Sequence, residues 1–463
     1  MDYDLIIIGS GPGGYVAAIR ASQLKMKVAV VERAELGGIC LNWGCIPTKS
    51  LLKSSQVFEY LTHASEYGIT ISGEVKADFS AIIARSRNVA DGMSKGIQFL
   101  FKKNNITHIR GYARLAGNKG VEVTDSEGDR KTYTAENIIL ATGARSKELP
   151  NLKQDGKKII GYREAMTLGK QPGSMVVVGS GAIGSEFANF YQSIGTSVTL
   201  VEFLPRIVPN EDEEVSRQLE RSFKKMKMKI MTDSSVESVD TSKEKCMVSV
   251  KTPKGIEVIE TDVVFSAVGV TTNIEDIGLE SAGVKTEKGK VTVDDFYRTS
   301  VPGIFAIGDI VHGPALAHVA SAEGIICVEK MAGENPDPLD YKNIPACTYT
   351  SPEIASCGLT EAAAREAGYD IKVGKFPFTA SGKASASGSR DGFVKLIFDS
   401  AYGELLGAHM IGANVTEMIA EIVVARKLET TAHEIIKSIH PHPTMSEAVM
   451  EAAAAAYGEV IHL

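Results

Sequence analysis

The sequence predicts an α/β protein with two Rossmann-like dinucleotide-binding domains, and three observations carry that reading. Residues 4–14 read Asp-Leu-Ile-Ile-Ile-Gly-Ser-Gly-Pro-Gly-Gly and residues 174–184 read Ser-Met-Val-Val-Val-Gly-Ser-Gly-Ala-Ile-Gly, so an apolar strand twice runs into G-x-G-x-x-G. A helix-compatible stretch follows each, then a second strand, Val28-Ala29-Val30-Val31 or Val198-Thr199-Leu200-Val201, that leads into Glu32 or Glu202. Each Glu stands 23 residues after the first Gly of its motif, Gly9 or Gly179. The composition, 44% hydrophobic and 23% charged over 463 residues, is that of an ordinary globular chain of about three domains.

The glycine pattern has a physical basis. The first Gly of each motif (Gly9, Gly179) permits a tight turn, the second (Gly11, Gly181) lets backbone approach a pyrophosphate, and the third (Gly14, Gly184) lets helix pack on strand. The helix N-terminus that follows favours phosphate charge. A carboxylate about 20 residues on accepts hydrogen bonds from a ribose diol, the role expected of Glu32 and Glu202. One such motif is weak evidence, because glycine-rich turns are common; two at equal spacing are specific. Glu202 also favours NAD over NADP, since it would repel a 2′-phosphate and Glu202-Phe203-Leu204-Pro205 contains no Arg to welcome one. Arg206 is the nearest basic residue.

The six cysteines are too few for a disulfide framework. Cys246, Cys327, Cys347 and Cys357 stand alone in apolar or mixed surroundings, as core residues do. Cys40 and Cys45 form a close pair in Gly37-Gly38-Ile39-Cys40-Leu41-Asn42-Trp43-Gly44-Cys45-Ile46-Pro47-Thr48-Lys49. Zinc competes for such pairs but prefers closer spacing and two further ligands; there is no second pair and His63 completes no site, so no metal is expected. Five residues along a regular helix separate Cα atoms by about 8.6 Å, more than the roughly 7 Å a disulfide spans. The helix should therefore be distorted at Gly44 or begin only near Cys45, with Pro47 in its first turn. Strained or accessible disulfides are the reducible ones. A helix start would favour a Cys45 thiolate, and Lys49 could share its face. Two reduced, buried cysteines are the plain alternative.

Near the other end, His440-Pro441-His442-Pro443-Thr444-Met445-Ser446-Glu447 precedes an Ala-rich helix pattern. The prolines fix an extended approach, Ser446 can cap the helix, and an imidazole oriented by a carboxylate suits a general base acting on a thiol. A lone His is more often structural. The net charge of −7 offers no general attraction to nucleic acid or anionic lipid. Lys224-Lys225-Met226-Lys227-Met228-Lys229 reads as a solvated helix face. No apolar run approaches the roughly 18 residues of a membrane span, and the N-terminus enters a strand at once without a signal-peptide pattern, so a cytoplasmic location is expected.

Taken in order, these motifs, with Ala141-Thr142-Gly143, Glu186 and Phe305-Ala306-Ile307-Gly308-Asp309, closely resemble the FAD-dependent pyridine nucleotide disulfide oxidoreductases over essentially the whole chain. The resemblance implies that Gly9, Gly11, Gly14 and Glu32 hold the ADP half of a tightly bound FAD, one per subunit, with Ala113 near adenine and Thr142 and Gly143 also lining the site. Asp309 would bind the ribityl chain and Ala317 would lie near the flavin ring. Lys49 would stand at the reactive edge of the flavin and pair with Glu186. Gly179, Gly181, Gly184, Glu202, Val236 and Gly269 would line the NAD+/NADH site.

The same resemblance makes Cys45 the flavin-facing thiol, Cys40 the one that meets substrate, His442 the base and Glu447 its partner; His440 matches a variable position. It implies a homodimer that reoxidises protein-bound dihydrolipoamide to lipoamide, serving the acyltransferase core of 2-oxoacid dehydrogenase complexes or the glycine cleavage carrier protein. A related flavin disulfide reductase acting on another substrate is the alternative. The expected division is an FAD domain over 1–147, an NAD domain over 148–272, a central domain over 273–342 completing the FAD site, and an α+β dimerisation domain over 343–463, with breaks near Pro150, Asn273 and Asn335-Pro336-Asp337-Pro338.

Overall fold

In the computed structural model, which describes residues 1–117 and 119–463, the apolar run Leu5-Ile6-Ile7-Ile8 lies in strand Tyr3–Ile8, inside a seven-stranded sheet. That strand pairs in parallel with Val28–Glu32 on one side and Arg130–Leu140 on the other. Flanked on both edges and covered on both faces, Leu5, Ile6 and Ile7 are fully buried, which explains an uninterrupted apolar run in place of alternation. Gly9 leaves this strand between two neighbours reached by different crossovers, the switch point at which ligands bind in open α/β sheets. Strand Ile304–Ala306, distant in sequence, joins the same sheet beside Arg130–Leu140. It delivers the short turn Gly308–Ile310, with Asp309, to the sheet end from which Gly9 emerges.

These strands belong to the first of two compact units, Met1–Ser50, Ala81–Lys147 and Gly269–Tyr341. Its helices Pro12–Gln23 and Ala317–Met331 pack closely because their facing positions are small: a Cβ on Gly324 would lie 2.8 Å from the Gly13 carbonyl oxygen. The second unit comprises Leu51–Ser80, Glu148–Val268 and Lys342–Leu463. It repeats the nucleotide-binding plan in a five-stranded parallel sheet with Ser174–Val178 at its centre, between Ser197–Val201 and Val263–Ser266. An antiparallel meander, Ser235–Asp240, Cys246–Thr252 and Gly255–Thr261, adjoins it in sequence. The unit also contains a five-stranded antiparallel sheet from 346 to 412, covered by helices Val415–Lys427 and Glu447–Ala455.

Two local expectations need correction. The lysine run is not one helix face: helix Glu213–Lys225 ends inside it and Lys229 opens strand Lys229–Met231, although its lysines are exposed as expected. Ser446 occupies the position before helix Glu447–Ala455, but its side chain makes no cap hydrogen bond, because its own backbone is already helical (φ −65°, ψ −22°).

Candidate functional site

Both glycine loops are built to one plan. Gly9 and Gly179 adopt φ values of +104° and +95°, and a Cβ on them would fall 2.3 and 2.5 Å from the carbonyl oxygens of Ala141 and Ala267. Gly14 and Gly184 press on the carbonyls of Gly9 and Gly179, where a Cβ would lie 2.0 and 1.9 Å away. By contrast a Cβ on Gly11 or Gly181 would meet nothing within 4 Å. These two residues stand just before helices Pro12–Gln23 and Ala182–Ser193, so each helix N-terminus faces open space of the kind a pyrophosphate fills.

The two acidic residues are held in matching ways. Glu32 Oε2 accepts the Ser10 N–H (3.0 Å) and hydroxyl (2.7 Å), and Oε1 accepts the Ala34 N–H (2.9 Å). Glu202 Oε2 accepts the Ser180 N–H (2.8 Å) and hydroxyl (2.6 Å), and Oε1 accepts the Leu204 N–H (2.9 Å). Ser10 and Ser180, the x of G-x-G, thus fix the carboxylates beside the loops. Sequence reasoning passed over them, although their identity in both copies was a usable signal. Arg206 is engaged within its own loop, donating to the Pro209 carbonyl at 3.1 Å.

The cysteine segment is tied to the first loop. The Gly37 N–H donates to the Ser10 carbonyl (3.1 Å), and a Cβ on Gly38 would lie 2.7 Å from Gly11 Cα. Helix Gly38–Trp43 carries Cys40, ends at Gly44, and a new helix runs from Cys45 to Thr62. Both expected devices are present: the break falls at Gly44 and the second helix opens at Cys45, with Pro47 in its first turn. The Gly44 carbonyl accepts the Thr48 N–H (3.1 Å) and hydroxyl (2.7 Å), stabilising the start of that helix.

The break brings the two cysteines together as thiols in hydrogen-bonding contact. The hydrogen bond with Cys45 pushes the Cys40 thiol up, burial adds to it, and the nearby Lys49 ammonium opposes both. Cys45 at a helix start is the member favoured to carry negative charge. Helix Phe79–Lys103 braces the segment. Ser86 donates to the Pro47 carbonyl (2.9 Å), Arg85 to Ser50 (2.8 Å) and Arg87 to the Asn42 carbonyl (2.5 Å), with the Arg87 guanidinium 4.1 Å from the Trp43 ring centre. Nothing local in Arg85-Ser86-Arg87 announced that role.

In the second unit His442 Nδ1 lies 2.8 Å from Glu447 Oε1, and Glu447 Oε2 accepts the Thr444 N–H at 2.8 Å. Burial works against ionisation of Glu447, but the Thr444 N–H and His442 outweigh it and hold the carboxyl below its usual range. The His442 side chain is 77% exposed, so its other nitrogen is presented to solvent or to another molecule. His440 is different: 7% exposed, with Nε2 2.7 Å from Glu421, it is a structural histidine.

The remaining predicted residues are placed as follows. Thr142 and Gly143 are fixed by Asn273, whose carbonyl and N–H bond the Thr142 hydroxyl (2.6 Å) and the Gly143 carbonyl (2.8 Å). Ala113 is buried in strand Tyr112–Leu115, and Ala317 opens helix Ala317–Met331. Asp309 is half-buried, and that burial raises its carboxyl above the usual range. Glu186, buried on helix Ala182–Ser193, accepts the Tyr349 N–H at 2.9 Å. The Val236 carbonyl accepts Asn151 Nδ2 (2.6 Å), and Gly269 (φ +105°) accepts the Lys147 N–H (3.0 Å). Among the described residues no cluster of metal-ligating side chains occurs, and no helix is long and apolar enough to cross a membrane.

Known proteins share this chain's sequence pattern and fold. Residues 3–324 match the model of the pyridine nucleotide-disulphide oxidoreductases, and residues 344–453 match the dimerisation domain of the same group. The chain is 49% identical to a dihydrolipoyl dehydrogenase of Zymomonas mobilis over 462 residues, covering 99% of each. It is 49% identical to one of Rhizobium etli over 476 aligned residues, again covering 99% of each. Among solved structures it resembles LpdA of Mycobacterium tuberculosis, with a TM-score of 0.91, 27% identity, and coverage of 97% of this chain and 98% of that one. It also resembles the flavoprotein disulfide reductase RclA of Escherichia coli, with a TM-score of 0.87, 25% identity, and coverage of 98% and 99%. On its sequence and its architecture alike, the chain belongs to the pyridine nucleotide-disulphide oxidoreductase family.

Proposed function

We infer that the protein is a dihydrolipoyl dehydrogenase, oxidising protein-bound dihydrolipoamide to lipoamide while NAD⁺ becomes NADH. One observation carries the reading most directly: a Cys40–Cys45 pair, brought together by the break at Gly44, is anchored through Ser10 to a dinucleotide loop. The open cradles at Gly11 and Gly181 fit FAD and NAD respectively, with Glu32 and Glu202 on the riboses. Glu202, and Arg206 bound to Pro209, favour NAD over NADP. The bound flavin supplies the passage of an electron pair from dithiol to nicotinamide.

The chain's own residues perform the thiol chemistry. With Cys40 and Cys45 as a disulfide, a dihydrolipoamide thiol loses its proton to His442 of the partner subunit, oriented by Glu447. The resulting thiolate attacks the Cys40 sulfur, forming a mixed disulfide and releasing Cys45 as thiolate. The second substrate thiol then displaces Cys40, its proton passing to the departing Cys40 sulfur, and lipoamide leaves with its disulfide closed. Two electrons then reside on the cysteine pair, and reoxidation of that pair reduces NAD⁺. Lys49 holds positive charge beside the cysteine pair.

The dimer rests on the match of residues 344–453 to a dimerisation domain, and an exposed His442 suits a site completed by a second subunit. We assign the division 1–147, 148–272, 273–342 and 343–463 to FAD, NAD, central and dimerisation domains, and the workplace to the cytoplasm, delivering to 2-oxoacid dehydrogenase or glycine cleavage assemblies. Initial rates with dihydrolipoamide and NAD⁺ should exceed those with glutathione disulfide and NADPH by orders of magnitude. A preference for the second pair would make the protein a reductase of another disulfide.

A further inference from the structure

The loop Gly308–Gly313 carries Asp309 and is gripped at both ends by two residues outside every motif. Glu323, on helix Ala317–Met331, is 1% exposed. Its two oxygens accept the Gly308 N–H and the Tyr341 hydroxyl, each at 2.6 Å. The Tyr341 ring lies beneath the other end of the loop, where a Cβ on Gly313 would come within 2.8 Å of ring carbon Cε1. Lys290 Nζ reaches the Gly313 carbonyl at 3.2 Å, and the Tyr297 hydroxyl lies 3.3 Å from that of Tyr341. A buried carboxylate keeps this position only while its donors keep theirs. The turn before Asp309 and the glycine after it therefore move together.

We propose that Glu323 and Tyr341 form a brace that sets the loop Gly308–Gly313 in the shape needed to hold FAD, acting as positioning residues through Asp309. The inference rests on the reading of Asp309 as a ribityl ligand. Neither residue touches the cofactor on this account. Removal of either leaves a buried donor or acceptor unmatched and frees one end of the loop.

The test measures FAD release from the full-length holoenzyme by the rise of flavin fluorescence at 25 °C, with far-UV circular dichroism reporting the fold. Glu323→Ala and Tyr341→Phe should each release FAD about tenfold faster than the parent. Glu323→Gln, which keeps an acceptor for Gly308 and a partner for Tyr341, should stay within about threefold. Asp309→Asn tests the underlying reading separately and should also release FAD faster. Parent-like release from Glu323→Ala and Tyr341→Phe beside fast release from Asp309→Asn would overturn the brace. Parent-like release from Asp309→Asn would overturn the ribityl reading instead. Should Glu323→Ala fail to fold, Tyr341→Phe decides the matter, because Tyr341 is 40% exposed and tolerates loss of its hydroxyl.

Discussion

At the residue scale, His442 offers one nitrogen to its surroundings while the other is held 2.8 Å from Glu447. With Nδ1–H donated to the carboxylate, Nε2 keeps a lone pair able to accept a proton from a thiol. Glu447 is itself fixed by the Thr444 N–H, so the imidazole's orientation is set locally. Glu447→Gln should lower kcat for dihydrolipoamide oxidation by about 10²-fold, with the flavin absorbance spectrum unchanged. A steady-state kcat within twofold of the parent would remove Glu447 from the chemistry. His440, two residues away and equally conspicuous in sequence, is buried against Glu421. Only the geometry separates the histidine left exposed from the one used in packing.

At the scale of elements, the two glycine loops provide an internal comparison. Gly184 is as tightly enclosed as Gly14, so Gly184→Ala must push the loop Gly179–Gly181 away from its helix. It should raise the KM for NAD⁺ about tenfold or more and leave the flavin spectrum intact; steady-state titration of NAD⁺ checks this. An equal loss of bound flavin would contradict the separate assignment of the two cradles.

The loops, their strands and the break at Gly44 were legible in sequence because each is dictated by residues within about 25 positions of one another. The Ser446 cap was misread for a similarly local reason: a favourable residue type does not fix its backbone angles, and the turn was already helical. Arg85, Ser86 and Arg87 act on residues 35 to 45 positions away. Glu323 looks in sequence like any solvated helix residue, and its burial depends on Tyr341 and on helix packing through Gly324. No local pattern encodes those contacts.

At the scale of the whole molecule, buried carboxyls make stability depend on pH. Burial pushes Glu211 up to about 7, the Ser356 hydrogen bond opposes this, and neighbouring Asp212 adds to it. Among the described residues, Glu211 Oε2 has no hydrogen-bond partner. Because the folded-state value lies above the unfolded one, Glu211's contribution to stability is full below about pH 4.5 and is lost as pH rises to about 7. Glu211→Gln, which cannot ionise, should be more stable than the parent at pH 8 by about 3 kcal/mol. The difference should vanish near pH 4.5, the ordinary glutamate value. Urea midpoints at both pH values measure this; a variant less stable at pH 8 would show that the charged form of Glu211 is needed for the fold.

The proposed reaction carries electrons through Cys40 and Cys45 to a flavin held by the first glycine loop. Anaerobic titration of the purified protein with dihydrolipoamide, followed by visible absorbance, tests that passage directly. A long-wavelength band from a Cys45 thiolate against oxidised flavin should grow with about one equivalent of substrate; it should persist without substrate in Cys40→Ser and be absent in Cys45→Ser. A flavin that bleaches without such a band, or a band that survives in Cys45→Ser, would contradict the assignment of the cysteine pair.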